Sequence, residues 1–113
     1  MANTVRKAAR EDAPDPPGLL VGEGAYEDMA AVFQVLSNPS RLKIVHALMD
    51  TDLCVGELAM ALHMSDSAVS HQLRLLRALR LVRHWREGKM VRYALDDDHV
   101  RQLFAATLEH LQE

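Results

Sequence analysis

The apolar period of this chain changes at Leu81, and that change limits the folds open to it. Before Leu81, apolar residues recur every three or four positions, as in Met29, Phe33 and Leu36, or Val69, Leu73 and Leu76. That is the spacing of helices with one buried face. After Leu81 the period becomes two. Val82 and His84 alternate with Arg83 and Trp85, and Val91, Tyr93 and Leu95 alternate with Met90, Arg92 and Ala94. The two runs flank Arg86-Glu87-Gly88-Lys89, and alternation around a glycine turn predicts a β-hairpin. A last helix is predicted to start at Asp97 or Asp98.

The helical part divides at clear signals. A first helix runs from about Tyr26. Asn38-Pro39 restarts the chain, with an N-cap residue before a proline at the first helical position. The helix that follows carries Leu42, Val45, Ala47 and Leu48 and is expected to end near residues 50–52. A short helix over about residues 55–62 comes next. Ser65 is then placed to cap a helix reaching about Arg80. A short helix, a tight turn and a longer helix form a helix-turn-helix, and a hairpin directly behind it is a wing. The expected fold is mainly α with a β-hairpin, a winged helix-turn-helix over residues 25–113. Residues 1–24, with Pro14, Pro16 and Pro17 among Ala, Asp and Gly, read as a flexible arm.

A chain of 113 residues with 49% hydrophobic residues has material for one small domain with a real core. No apolar run approaches the roughly 18 residues of a membrane span. The N-terminus lacks an apolar stretch of signal-peptide length, so a cytoplasmic location is expected. Cys54 is the only cysteine, which excludes an intramolecular disulfide framework.

The net charge is −3, yet its distribution is uneven. Between residues 74 and 92 lie Arg74, Arg77, Arg80, Arg83, Arg86, Lys89 and Arg92 against Glu87 alone. A basic block in an acidic chain is an electrostatic footprint for phosphates. On the helix from Ser65, the residues Ser67, Ser70, His71 and Arg74 fall at i, i+3, i+4 and i+7, with Gln72 at the edge of that face. Such a face can enter a major groove of double-stranded DNA, where Ser and Gln meet base edges and Arg can bond guanine with two hydrogen bonds. An ordinary surface helix would mix in Glu, but residues 67–80 contain no acid. At the hairpin, Arg86 and Lys89, with Arg92 on the returning strand, are expected to hold phosphates. For Arg92, a charge that guards an edge strand is nearly as good a reading.

The tail carries a second constellation. His99 and His110 are eleven residues apart, about 1100° of helix, so their imidazoles share a face. They also differ by a rise of about 16 Å, too far for one ion with Zn–N bonds of about 2 Å. If both bind the same metal, the second comes from another chain. Two antiparallel copies of this helix would set Asp97 and His99 of one beside His110 and Glu113 of the other. Two imidazoles and two carboxylates suit tetrahedral Zn(II), with Co(II) as a substitute, whereas Ni(II) usually takes more ligands. The plainer alternative is that residues 96–98 cap a helix and that His110 and Glu113 lie on an open surface. Val100, Phe104, Thr107, Leu108 and Leu111 form a separate apolar stripe, read as the helix's own core face. Cys54 and Glu57 sit three apart in the short helix. They could begin another site, but residues 1–30 hold no Cys or His to complete it, so Cys54 reads as a small buried hydrophobe.

These motifs together resemble the ArsR/SmtB family of metal-sensing repressors, and the SmtB-type zinc sensors in particular. The residues that carry the resemblance are Asn38-Pro39-Ser40-Arg41-Leu42, Leu53-Cys54-Val55-Gly56-Glu57-Leu58-Ala59, Ser67-Ala68-Val69-Ser70-His71-Gln72-Leu73-Arg74, the hairpin, and His110-Leu111-Gln112-Glu113. The resemblance covers about residues 26–113. It implies a homodimer joined through its first and last helices, with zinc held between the two last helices by Asp97 and His99 of one chain and His110 and Glu113 of the other. It implies that the apo dimer binds operator DNA and that the metal-bound dimer releases it, freeing metal-resistance or efflux genes. It also implies a route in which His110, through its other ring nitrogen, bonds to the recognition helix near His71. The family's second metal site is only half matched, by Cys54 and Glu57. A Cys-x-Cys thiolate pattern is absent, since residue 52 is Asp.

Two other classes compete. One is a winged-helix regulator of the same family that answers another signal or none. The other is a small zinc hydrolase, but four protein ligands close a tetrahedral ion and leave no position for water. The chain therefore reads as a regulator and not an enzyme.

Overall fold

The computed structural model describes residues 22–113. Among them the chain forms α1 (Glu23–Leu36), α2 (Pro39–Ala47), β1 (Leu53–Cys54), α3 (Val55–Leu62), α4 (Asp66–Ala78), β2 (Val82–Glu87), β3 (Met90–Leu95) and α5 (Asp98–Gln112). Helix α1 takes in Glu23 and Gly24, which composition assigns to the arm; a glutamate in the first turn favours the positive end of the helix dipole. Gly22 precedes the helix at its N-cap position, and residues 1–21 of the predicted arm lie outside the described residues.

The start signals act as expected. The Asn38 side chain accepts from the Arg41 N–H at 3.1 Å, with Pro39 opening α2. Ser65 Oγ accepts from the Ala68 N–H at 3.1 Å and starts α4. Between α3 and α4, His63 turns the chain in the left-handed region at φ 57°. The hairpin pairs Val82 with Leu95 through to Glu87 with Met90, which leaves Gly88 and Lys89 as the turn. Gly88 has φ 65°, the position that a type II′ turn gives to glycine.

Strand β1 is not foreseen by the sequence reading. Leu53 pairs with Tyr93 and Cys54 with Arg92, so the strand order is β1-β3-β2. The returning strand of the wing is therefore central and not an edge. It is joined on one side to the strand that leads straight into α3.

The core draws on every layer: Ile44, Val45 and Leu48 of α2, Leu58 and Ala59 of α3, Val69, Leu73 and Leu76 of α4, then Leu81, Val82, Leu95 and Val100. The inward stripe read on α4 is thus the core stripe. The stripe read on α5 is not. Val100 is buried and Phe104 half-buried, but Leu108 and Leu111 are exposed, at 37% and 74%. Helix α1 buries no residue fully. Instead α1, α2 and α5 wall an open apolar groove of about 510 Å³, lined among others by Phe33, Leu36, Leu42, Leu103, Leu108 and Leu111. His46 stacks on Phe104 in this groove, with ring centroids 5.1 Å apart.

Candidate nucleic-acid interface and metal half-sites

Helix α4 exposes Ser67, His71 and Arg74 to solvent, with Ser70 and Gln72 half-buried beside them. Val69, Leu73 and Leu76 fix its rotation by filling the core on the opposite side. The Gln72 side chain is already engaged: its Oε1 accepts from Arg41 Nε at 2.6 Å. Arg41 Nη1 also donates to the Val35 carbonyl at 3.1 Å, in the last turn of α1. Arg41 is a residue that the pattern reading quotes but gives no role. Its one visible signal is its place three residues after the Asn38 cap.

The wing tip exposes Arg86 and Lys89 as expected. Strand β2 is tied to α4, because Arg77 Nη1 donates to His84 Nε2 at 2.6 Å while His84 stacks on Tyr93 at 5.6 Å. Arg83 lies over the Trp85 ring at 5.0 Å.

Arg92 departs from its edge-strand reading. It donates through Nε to Asp52 Oδ1 at 2.7 Å and through Nη2 to the Asp52 carbonyl at 2.9 Å, and its Nη1 lies 3.2 Å from Glu57 Oε1. Two acids thus hold it against the sheet, and its strand is central, so it is not an edge guard. The hydrogen bond to Asp52 raises its pKa against some desolvation, and Glu57 adds to the rise. The solvent-exposed part of the basic block is then Arg74, Arg77, Arg80, Arg83, Arg86 and Lys89.

The structure brings Cys54 and Glu57 together in a helix cap. Glu57 Oε1 accepts from the Cys54 N–H at 2.9 Å, and the Cys54 side chain accepts from the Glu57 backbone N–H. That backbone bond is the main reason the Glu57 carboxyl sits below its ordinary pKa, with Arg92 helping. Cys54 is buried.

At the start of α5, Asp97 has two uses. Its Oδ1 caps the helix, accepting from the N–H groups of His99 at 2.9 Å and Val100 at 3.3 Å. Its Oδ2 lies 3.4 Å from His99 Nδ1. The extended backbone of Asp97 folds the carboxylate back onto the imidazole two residues on, which helical backbone would not allow. Desolvation is the largest single influence on the Asp97 carboxyl and pushes its pKa up, but the bonds from Val100 and His99 together outweigh it and the net shift is down. The carboxylate is therefore ionised at neutral pH. At the other end of α5, His110 and Glu113 are both exposed. Among the described residues, no three His, Cys, Asp or Glu side chains of one chain gather around a point. Each chain instead carries two exposed N,O pairs at opposite ends of a 15-residue helix. The donors fit a borderline ion such as Zn(II): one imidazole and one ionisable carboxylate in each pair.

No helix of the described residues is long and apolar enough to cross a membrane. Residues 38–84 match the model of the bacterial regulatory protein, arsR family. The chain is similar to a transcriptional repressor SmtB homolog from Synechocystis sp., 49% identical over 87 residues, 77% of this chain and 66% of that protein, just under two thirds of its length. It is similar to a cadmium resistance transcriptional regulatory protein CadC homolog from Staphylococcus aureus, 41% identical over 76% of this chain and 72% of that protein. Its fold is similar to the solution structure of a homodimeric winged helix-turn-helix DNA-binding domain from Mycobacterium bovis, with TM-score 0.77 and 26% identity over 84% of this chain and 91% of that one. A winged helix-turn-helix with this charge pattern and these relatives is a regulator rather than an enzyme, and the chain belongs to the ArsR family of bacterial regulatory proteins.

Proposed function

We propose that this protein is a cytoplasmic, metal-responsive transcriptional repressor that works as a homodimer. Two copies meet through the apolar groove between α1 and α5. In the apo dimer, Ser67, Ser70, His71, Gln72 and Arg74 enter the major groove, and Arg86 and Lys89 hold phosphates. Asp97 and His99 of one copy, with His110 and Glu113 of the other, hold Zn(II) in two symmetric sites, with Co(II) as a substitute. The bound ion supplies a link between the two α5 helices.

One observation carries this reading: the Asp97 carboxylate reaches the His99 imidazole at one end of α5, while His110 and Glu113 stand at the other. Eleven residues of helix, about 16 Å, separate the two imidazoles, so each pair needs a second chain to become a four-ligand site. The two α4 helices must match successive major grooves, so holding the α5 helices in one relation disfavours the DNA-bound spacing. His110 keeps a second ring nitrogen for a hydrogen bond toward α4 near His71, the route that the family resemblance implies. A coupling of about 3 kcal/mol between metal and DNA would weaken operator binding roughly 150-fold.

The test is fluorescence anisotropy of labelled operator DNA with zinc, cobalt or chelator. Zinc should release DNA from the wild-type protein and leave His99→Ala bound. Equal binding in zinc and chelator would leave a DNA-binding regulator that answers another signal.

A further inference from the structure

Arg41 stands where three helices meet: from α2 its guanidinium hydrogen-bonds both α4 and α1, which walls the apolar groove. It belongs to the first turn of α2, directly behind the Asn38 cap. Its guanidinium donates to the Val35 carbonyl, one of the last-turn carbonyls of α1 that have no partner inside their own helix. The same guanidinium donates to Gln72 Oε1 at 2.6 Å. Arginine has no acceptor atom, so the Gln72 oxygen must face Arg41 and the amide nitrogen must face away. Among the described residues, no protein acceptor takes the N–H groups of that nitrogen.

We propose that Arg41 is a positioning residue for DNA recognition: it orients the Gln72 amide on α4 and holds it in register with the end of α1. The proposal rests on the reading that Gln72 faces DNA. A glutamine has three rotatable side-chain bonds, and ordering it at the moment of binding costs conformational entropy. A bond that orders it beforehand removes that cost and selects which edge of the amide a base meets. Because the second arm of Arg41 reaches α1, movement of α1 in the groove also bears on Gln72.

The test uses the full-length apo protein in chelator and compares binding to a DNA site selected from a random pool with binding to a scrambled duplex. The variants are Arg41→Ala, Gln72→Ala and the double variant, each checked by circular dichroism for full folding. Arg41→Ala should weaken binding to the selected site by about five- to tenfold, the worth of one oriented hydrogen bond. It should leave binding to the scrambled duplex almost unchanged, because a merely structural loss would lower both. The double variant should be no weaker than Gln72→Ala alone, and Arg41→Lys should recover only part of the loss. Losses that multiply in the double variant overturn the proposal, as does an Arg41→Ala variant that binds the selected site like wild type while Gln72→Ala does not. If Gln72→Ala itself changes nothing, the placement of Gln72 on the DNA face fails, and the proposal fails with it. Should Arg41→Ala not fold, the wild type and Gln72→Ala still decide it. The Arg41 Nε–H should exchange slowly with water in ¹⁵N spectra of the wild type and faster in Gln72→Ala; equal exchange rates overturn the assignment.

Discussion

Asp97 Oδ2 lies 3.4 Å from His99 Nδ1 while Asp97 Oδ1 caps the helix that carries His99. One carboxylate thus starts α5 and places the imidazole. The two roles separate by substitution. Asn is as good an N-cap as Asp, so Asp97→Asn should melt like the wild type. It lacks the ionised carboxylate and should bind zinc on the order of tenfold or more weakly. Asp97→Ala should lose both thermal stability and zinc affinity. Calorimetric titration and thermal melts check this, and unchanged zinc binding by Asp97→Asn would remove Asp97 from the ligand set.

Arg86 and Arg92 lie on the same hairpin but should respond differently to substitution. Each phosphate contact steepens the dependence of log K on log salt by about 0.9. Arg86→Ala and Lys89→Ala should each flatten that slope by about one per protomer. Arg92→Ala should leave the slope as it is and lower the melting temperature, because Arg92 already spends its donors on Asp52 and Glu57.

Glu57 predicts the shape of the acid limb of stability. Its carboxyl sits below the ordinary value because it accepts the Cys54 N–H and faces Arg92. A carboxylate with a depressed folded pKa stabilises fully above its unfolded pKa and loses that contribution as pH falls through the folded value. Glu57→Gln should therefore be less stable than wild type at neutral pH, with the gap closing below the ordinary carboxylate range. Melting curves from pH 7 down to about 3 read this out.

The groove between α1 and α5 should be where two copies meet. A charge placed on it, as in Leu103→Glu, would have to be desolvated in the dimer. Leu103 is 36% exposed in the single chain, so the variant should fold with unchanged helicity. It should sediment as a monomer and lose operator binding. A Leu103→Glu dimer as tight as wild type would move the interface elsewhere.

Ser65 caps α4. Ser65→Ala should cost about 1 kcal/mol of stability by leaving the Ala68 N–H without its acceptor. Chemical denaturation measures the loss.

Local signals were legible in the sequence wherever one residue decides the outcome. Asn38, Ser65, Asp97 and Gly88 each set a cap or a turn through contacts within three residues, and each appears where its chemistry requires it. What escaped depends on distant partners. Two residues, Leu53 and Cys54, show no alternation, and their strand exists because Tyr93 and Arg92 arrive beside them some forty positions later. The same arrival pairs Arg92 with Asp52 and Glu57, which its place in the sequence does not announce. Leu108 and Leu111 misled for another reason: an apolar stripe left on an open groove has the same period as one made for the chain's own core. Arg41 and Gln72 lie thirty-one positions apart, so nothing in their spacing announces the bond between them.

The short strand β1 has a mechanical consequence. It welds the wing's inner strand to the run that enters α3, Arg92 clamps the joint, and Arg77 braces the outer strand against α4. A protomer built this way meets the double helix as one stiff jaw. In the proposed homodimer two such jaws would keep their play at the hinge between copies, and the pair would act as a caliper for the base-pair distance between two half-sites.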